Sequence, residues 1–269
     1  MTDRLTIVTW NINSVRLRMP IVEKLLDEVN PDVLCLQETK CPDANFPENP
    51  LKKLGYEHIH VHGQKGYHGV ATLSRRALGN VERRDFCGMG DSRHIAVDVP
   101  FNGSALRLHN FYVPAGGDEP DRAVNDKFAH KLDFMAEMRD WLTGEETSKP
   151  AVLVGDLNVA PYEHDVWSHK QLLKVVSHTP IETELMEEVR VAGGWIDAMR
   201  RFTPMEEKLY TWWSYRAKDW AKADKGRRLD HVWVSQALEG HIKSTSVLKD
   251  ARGWEKPSDH APVIAVFEA

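Results

Sequence analysis

Short stretches of alternating or continuous apolar residues recur along the chain and predict strands. Residues 5–10 alternate apolar and polar side chains, as a half-buried strand does. Residues 33–36 and 151–154 are unbroken apolar runs, which is typical of a buried strand. The same patterns predict further strands at residues 56–61, 69–74, 93–99, 106–112, 210–213, 229–234 and 263–267.

Apolar residues at helical spacing predict helices between these strands. After Pro20, which suits the first turn of a helix, an apolar stripe runs from Val22 to Val29. Residues 179–182 form a capping box that starts another helix, whereas residues 162–176 fit neither pattern. Helices are expected at residues 20–29, 50–55, 128–141, 180–191 and 195–201. Interspersed strands and helices predict sheets covered by helices, in one layered α/β domain of residues 1–269.

The composition is that of a globular chain without a strong overall charge. Its 269 residues, 42% of them hydrophobic, suffice for one large core. The formal net charge of −5 gives no basic field over the whole molecule, so DNA binding would need a local basic patch. Three cysteines without CxxC spacing predict free thiols in a reducing compartment. The N-terminus leads directly into a strand, and no run approaches the ~18 apolar residues of a membrane helix, so we expect a cytoplasmic protein without a membrane partner.

Polar side chains follow several of the predicted strands directly. Asp156 and Asn158 come two residues apart after a buried run, and a period of two places both on one face of an extended chain. Asn11 and Asn13 repeat this spacing after the first strand, and Glu38 follows the second. Aspartate and asparagine are also ordinary turn formers, so one such stretch leaves a turn and a site equally open. The recurrence of acid and amide groups at strand ends favours a site.

Oxygen donors dominate the polar residues at these strand ends. Carboxylate and amide oxygens suit a hard cation such as Mg²⁺ or Mn²⁺. These strand-end residues include no cysteine and no HxxxH pair, which argues against zinc. Glu38 is the strongest single ligand candidate, with a surface ion pair to Lys40 as the alternative. The whole set comprises Asn11, Asn13, Glu38, Tyr112, Asp156, Asn158, Asp230, Asp259 and His260.

Asp230 and His260 contribute a second kind of chemistry. A carboxylate that accepts a hydrogen bond from a histidine fixes the tautomer of the ring and raises its basicity. Such a histidine can act as a phosphate ligand, an acid or a base, and the alternative is a structural histidine. The position of His260 between Pro257 and Pro262, directly after Asp259, favours a functional role. The sequence contains no GxSxG, Walker A or GxGxxG motif.

Aromatic and basic residues alternate between positions 212 and 228. This interleaving suits phosphate contacts combined with stacking on a base or at an abasic gap. A solvated loop with its aromatic residues anchored in the core is the alternative. The aromatic members are Trp212, Trp213, Tyr215 and Trp220, and the basic members are Arg216, Lys218, Lys222, Lys225, Arg227 and Arg228.

Seven segments of the chain resemble the motifs of one family. In chain order they are WNINSVR, LQETK, NFYVPAGG, GDLNVAP, YTWWSYR, RLDHVWVS and EKPSDHAPV, which together span nearly the whole sequence. LQET, GDLN and SDH occur throughout the endonuclease/exonuclease/phosphatase superfamily, which has the DNase I-like fold. NFYVP, WWSYR and EKPSDHAP are narrower. The chain therefore resembles exonuclease III, of the class II abasic-site endonucleases.

The resemblance implies a fold and an activity. The implied fold is a four-layered α/β sandwich of two stacked, mostly antiparallel (mixed) sheets flanked by helices, with the active site where strand ends converge. The implied enzyme is a monomeric DNA-repair hydrolase that depends on Mg²⁺, or on Mn²⁺ in its place. It would cleave double-stranded DNA between phosphorus and the 3′-oxygen. The expected activities are 3′→5′ release of 5′-mononucleotides, incision on the 5′ side of abasic sites and removal of 3′-phosphates.

The resemblance also implies roles for individual residues. Glu38 would be the principal Mg²⁺ ligand, and the implied metal set is Asn11, Glu38, Asp156, Asn158, Asp259 and His260. The implied catalytic set is Tyr112, Asp156, Asn158, Asp230 and His260, in which Asp156 handles the attacking water and His260 contacts the phosphate. The implied DNA contacts are Asn13, Arg93, Lys127, Trp212, Trp213 and Arg216, with Trp212 lining the pocket for an abasic sugar.

Two other functions are compatible with part of this pattern. A phosphatase of the same superfamily, acting on a phosphoester other than DNA, would share Glu38, Asp156 and His260 but not the segment around Trp212. A catalytically inactive nucleic-acid-binding regulator would have lost a ligand position. Every expected position is filled in this sequence, which favours the nuclease.

Overall fold

Two six-stranded sheets stack face to face, with helices on the outer face of each. The structure, a computed structural model, describes residues 3–143 and 149–269. In chain order the strands are β1 (Arg4–Asn11), β2 (Val33–Gln37), β3 (His58–His62), β4 (Val70–Ser74), β5 (Gly79–Glu82), β6 (His94–Phe101), β7 (Ser104–Tyr112), β8 (Ala151–Asp156), β9 (Ile196–Asp197), β10 (Trp212–Trp213), β11 (Gly226–Arg227), β12 (Asp230–Val234), β13 (Ile242–Val247) and β14 (Val263–Glu268). The helices are α1 (Met19–Val29), α2 (Glu48–Lys53), α3 (Asp126–Thr143), α4 (His169–Leu172), α5 (Pro180–Ala192), α6 (Ala198–Phe202) and α7 (Trp220–Ala223).

Both sheets are mixed and mainly antiparallel. The first has the strand order β13-β14-β1-β2-β4-β3, with β1 and β2 parallel and the other neighbours antiparallel. The second has the order β5-β6-β7-β8-β12-β9, with β7 and β8 parallel and the rest antiparallel. β10 and β11 form a separate two-stranded ribbon. This arrangement confirms the predicted sandwich.

The central strands are buried on both faces, which explains their unbroken apolar runs. In β1, Ile7 joins the core between the sheets, whereas Val8 packs with Leu25 of α1 on the outer side. In β8, Val154 joins the same inter-sheet core, and Leu153 packs in the outer layer of α3 and α5. Full burial of each such side chain contributes about 1.5–3 kcal/mol. Four layers result: helices, sheet, sheet, helices.

The elements that the hydrophobic pattern did not predict correctly are mainly short ones at the sheet edges. The pattern does not predict β5, whose residues are all exposed, or β13, in which half of the residues are exposed. The helix predicted at residues 195–201 is wrong in its first turn, because residues 196–197 pair with β12 as β9 and Asp197 then caps α6. The basic stretch 214–228 was expected as a loop but contains α7 and β11.

The composition led to expectations about free cysteines, membrane helices and domain number. Cys35, Cys41 and Cys87 are free cysteines. None of the helices in the described part of the chain combines the length and apolar character needed to cross a membrane. Residues of both sheets share one continuous core. The single domain of residues 1–269 stays a prediction.

Candidate active site

The polar ends of five strands meet at one edge of the stacked sheets. β1 and β2 are parallel, as are β7 and β8, so each pair brings its C-terminal residues to the same edge. β12 runs antiparallel to β8, which places Asp230 at its start opposite Asp156. Hydrogen bonds connect the side chains of Asn11, Glu38, Tyr112 and Asp156 there, and Asp230 lies beside them through its contact with His260.

Glu38 is held by three donors directly after β2. Its backbone is left-handed, with φ of 49°. Oε1 accepts hydrogen bonds from the Asn11 amide and the Tyr112 hydroxyl, both at 2.9 Å. Oε2 lies 2.8 Å from the Lys40 ammonium. Burial opposes ionisation of this carboxyl, but Lys40 and Asn11 outweigh it and lower its pKa. The ion pair with Lys40 proposed as an alternative therefore exists, within the site rather than on an open surface.

Asp156 lies just behind the surface of the site, 1% exposed. Its Oδ2 accepts from the side-chain amides of Asn11 at 2.8 Å and Asn158 at 3.2 Å. Burial raises the pKa of Asp156 to about 7, against the opposing attraction of His260. The strand reaches this position through Gly155 at φ of 140°, where a β-carbon would collide with the backbone oxygen of Phe111. Glycine is therefore required immediately before the carboxylate.

His260 lies between two buried carboxylates. Its Nδ1 is 2.8 Å from Asp230 Oδ2, and its Nε2 is 3.7 Å from Asp156 Oδ2. Burial alone would lower the pKa of His260, but Asp230 and Asp156 overcome this effect and raise it to about 10. The Trp10 indole fixes the loop by donating to the His260 carbonyl at 2.9 Å. This histidine is an imidazolium near neutral pH, with Asp230 orienting its ring.

Asn158 is fixed through both its side chain and its backbone. Its side-chain amide donates to the Val113 carbonyl at 2.8 Å, and its backbone N–H donates to Asp156 Oδ1 at 3.0 Å. Its carbonyl accepts from the Lys131 ammonium at 2.8 Å. Its φ of 54° is left-handed, a conformation that asparagine tolerates well.

Lys131 is a supporting residue that the sequence analysis missed. It lies on α3, forms an ion pair with Glu182 of α5, and both side chains are fully buried. The available signals were a lysine on the apolar face of α3, between Phe128 and Leu132, and the acid of the capping box. Together these residues brace the segment that carries Asn158.

A cavity of about 760 Å³ opens at this edge. Glu38, Asn158, Asp259 and His260 line one part of it, whereas Asn11, Asp156 and Asp230 lie behind that surface. Trp212, Arg216 and Arg227 line the remaining wall together with residues 175–177. Asp259 connects the two parts, since its Oδ2 accepts from the Trp212 indole at 2.9 Å and its Oδ1 from the Asn13 amide at 3.1 Å.

The expected DNA contacts divide into exposed and buried residues. Arg216 and Lys127 are exposed, the first of them on the cavity wall, and Trp212 is half-buried there. Arg93 is 5% exposed and lies under the Tyr112 ring, 4.9 Å from its centre, with Nε 2.9 Å from Asp91. Trp213 is 2% exposed. DNA contact by these residues stays a prediction, and Arg93 and Trp213 contribute first to packing.

The donor set can accommodate a hard cation. In the described residues, one grouping of acidic and histidine side chains has metal-ligand spacing, with ligand atoms of Asp156, Asp230 and His260 within 4.8 Å of one another. His260 Nδ1 is already engaged by Asp230, so this grouping is better explained as a hydrogen-bonded Asp230–His260 pair with Asp156 3.7 Å from the ring. Glu38 and Asp259 instead present carboxylate oxygens at the cavity, and oxygen ligands suit Mg²⁺.

Comparison with known proteins identifies the family of this chain. The sequence matches the endonuclease/exonuclease/phosphatase family over residues 8–260. It is 33% identical to the exodeoxyribonuclease III of Haemophilus influenzae, over 97% of this chain and 99% of that protein. An AP endonuclease from Archaeoglobus fulgidus superposes with a TM-score of 0.90 at 31% identity, over 98% of this chain and 100% of that one. A 3′ phosphatase from Neisseria bound to a product DNA hairpin superposes with a TM-score of 0.89 at 32% identity, over 98% and 100%. The resemblance to exonuclease III that the motifs predicted is confirmed, and the chain belongs to the endonuclease/exonuclease/phosphatase family.

Proposed function

We propose that this protein is a Mg²⁺-dependent DNA-repair nuclease that hydrolyses the bond between phosphorus and the 3′-oxygen in double-stranded DNA. The substrates would be 3′ ends, abasic sites, which it would incise on the 5′ side, and 3′-phosphates. The observation that carries this proposal is the convergence of Glu38, Asp156 and His260 on one cavity edge. The Asn11 amide links Glu38 to Asp156, and His260 lies 3.7 Å from Asp156. We propose further that the protein acts in the cytoplasm as a monomer.

The carboxylates and amides of the site provide a place for the ion. Glu38, with Asn11 and Asp259 nearby, would hold Mg²⁺, or Mn²⁺ in its place. A bound divalent cation supplies charge neutralisation at the phosphate oxygens. The low pKa of Glu38 keeps its carboxylate ionised at neutral pH, and Lys40, with about a third of its side chain exposed, has room to withdraw from it.

Asp156 and His260 supply opposite proton chemistry. Asp156, whose pKa is about 7, accepts the proton of the attacking water as oxygen adds to phosphorus. His260, protonated at neutral pH, donates a hydrogen bond to a phosphate oxygen and stabilises the developing negative charge. The P–O3′ bond breaks, and the 3′-oxygen takes up a proton from solvent. The products are a 3′-hydroxyl and a 5′-phosphate.

The cavity wall favours DNA over other phosphoesters. Trp212 offers a face on which a sugar can lie, and Arg216 offers an exposed cation for a backbone phosphate. A small phosphoester has no adjoining sugar and no further backbone phosphate to contact Trp212 and Arg216. An inactive regulator would have lost a ligand or a proton-transfer group, and none is lost among the expected positions.

The proposal is tested with three duplexes, carrying an abasic site, a blunt end or a 3′-phosphate. Each is incubated with protein and either Mg²⁺ or EDTA, and product lengths are measured. We expect cleavage in Mg²⁺ only, and a loss of about 10²–10³-fold in kcat for Glu38→Gln with DNA binding in EDTA retained. Glu28→Gln, an exposed carboxylate on α1, serves as the matched control with normal activity. A wild-type protein that cleaves none of the three duplexes in Mg²⁺ would refute the proposed function.

A further inference from the structure

Arg227 joins two walls of the cavity that are distant in sequence. It lies in β11, paired with Trp212 of β10, and its guanidinium carbon is 5.3 Å from the centre of the Trp212 ring. Its Nη1 donates to the Val176 carbonyl at 3.0 Å and to the Ser177 hydroxyl at 2.8 Å. One side chain thus contacts the aromatic wall and the wall formed by residues 176 and 177.

The backbone that carries Arg227 is itself anchored. Arg228, the next residue, is fully buried and forms ion pairs with Asp165 at 2.9 Å and Asp197 at 2.7 Å. Its N–H also donates to the Asp165 carbonyl at 2.8 Å. Since breaking a buried ion pair is strongly unfavourable, β11 presents the Arg227 guanidinium at a fixed position.

We propose that Arg227 is a positioning residue that fixes the separation of these two walls and thereby selects DNA with a sugar beyond the scissile phosphate. This inference rests on the proposed function. At an abasic site, the base-less deoxyribose is attached to the phosphate that Asn158 and His260 would hold, and it extends towards Trp212 and residues 176–177. A 3′-terminal phosphate has no sugar on that side, so it does not use this part of the cavity.

The chemistry of Arg227 makes the effect selective. Loss of the guanidinium removes two charge-assisted hydrogen bonds to residues 176 and 177 and the cation–π contact to Trp212. The side chains that would hold the phosphate are not bonded to Arg227. A substitution of Arg227 therefore loosens the part of the cavity formed by Trp212 and residues 176–177. It leaves the part formed by Asn158 and His260 intact.

The test is DNA binding in EDTA, measured by fluorescence anisotropy with two duplexes. One carries a tetrahydrofuran abasic analogue, and the other is nicked with a 3′-phosphate. Arg227→Met should raise the Kd for the abasic duplex about tenfold, the magnitude of one lost charge-assisted hydrogen bond, and that for the 3′-phosphate duplex less than about twofold. Arg227→Lys, which keeps the charge but not the planar fork, should fall between Arg227→Met and wild type.

Two control variants separate this effect from others. Arg216→Met removes an exposed cation of the cavity wall and should raise the Kd for both duplexes by the same factor. Arg201→Met, at an exposed arginine paired with Glu239, should leave both Kd values unchanged. Hydrogen exchange in residues 173–179 should accelerate in Arg227→Met and stay normal in Arg201→Met. Equal changes in both Kd values, or unchanged exchange, would overturn the role of Arg227. A wild-type protein that binds selectively in EDTA but cleaves nothing in Mg²⁺ would refute the proposed function and leave this inference standing.

Discussion

At the scale of single residues, the site contains neighbouring ionisable groups whose pKa values are shifted by different physical causes. Burial raises the pKa of Asp156 to about 7, whereas two carboxylates raise that of His260 to about 10. Near pH 7 the histidine therefore carries a proton, and the aspartate is poised to accept one. Divergent environments of neighbouring titratable groups are a common basis for assigning acid and base roles.

Asp156→Asn is the substitution that tests this division of labour. Asparagine has nearly the same shape, but it is a far weaker proton acceptor, so we expect kcat to fall by roughly 10²–10⁴-fold. KM should change less than about threefold, because the phosphate contacts proposed for His260 and Asn158 would persist. Steady-state kinetics on the abasic duplex in Mg²⁺ provide both constants. A variant that raised KM at unchanged kcat would show that Asp156 serves binding instead.

At the scale of elements, α3 and α5 carry part of the support for the site. The Lys131–Glu182 pair is fully buried between them, and Lys131 also contacts the carbonyl of Asn158. Glu182 further accepts from the backbone of Ser177, a residue of the cavity wall. The capping box at the start of α5 is therefore also a connection between a helix and the site.

Lys131→Met should lower the free energy of unfolding by about 3–5 kcal/mol, because it leaves the Glu182 carboxylate buried without its cation. Typical domains have only about 5–15 kcal/mol of stability, so this is a large fraction. Urea denaturation measures the change. Arg139→Met removes a partly exposed arginine that links the same two helices through Glu188, and it should have little effect. Equal losses in both variants would contradict the role assigned to burial.

At the scale of the whole molecule, several buried histidines make stability depend on pH. His109 and His231 are buried, and burial lowers the pKa of each to about 3. Both are neutral in the folded protein, whereas unfolding restores a pKa near ~6.5. Their folded pKa values lie below the unfolded one, so the stabilisation is complete above pH ~6.5 and is lost as the pH falls towards 3. Asp156, whose pKa is raised, offsets one of these contributions over the same range.

His109→Gln isolates one of these contributions. Each buried neutral histidine should reduce the free energy of unfolding by about 1.4 kcal/mol for every pH unit below ~6.5. The slope of stability between pH 6 and pH 4.5 should therefore be shallower in His109→Gln by about that amount. Urea denaturation at several pH values measures both slopes. Parallel curves would show that His109 is protonated in the folded protein as readily as in the unfolded one.

The sequence by itself determined the central strands, most of the long helices and the chemistry of the strand ends. Apolar runs such as residues 151–154 identify a buried strand because both of its faces must be covered. Glu38, Asp156 and His260 were identified as candidates from residue type and motif, and the resemblance to exonuclease III followed from motif order. These features are local, so a linear pattern is enough to recognise them.

Only the tertiary structure decided which polar residues reach the cavity and which support it from behind. Trp213 belongs to a recognisable motif yet is buried, and Arg93, another expected DNA contact, is buried too. Lys131 and Arg227 instead belong to the site through contacts across the fold. Edge strands such as β13 depend on a neighbour for their pairing and carry little hydrophobic signal of their own. Burial and pairing are properties of contacts between residues far apart along the chain, and for that reason no local pattern contains them.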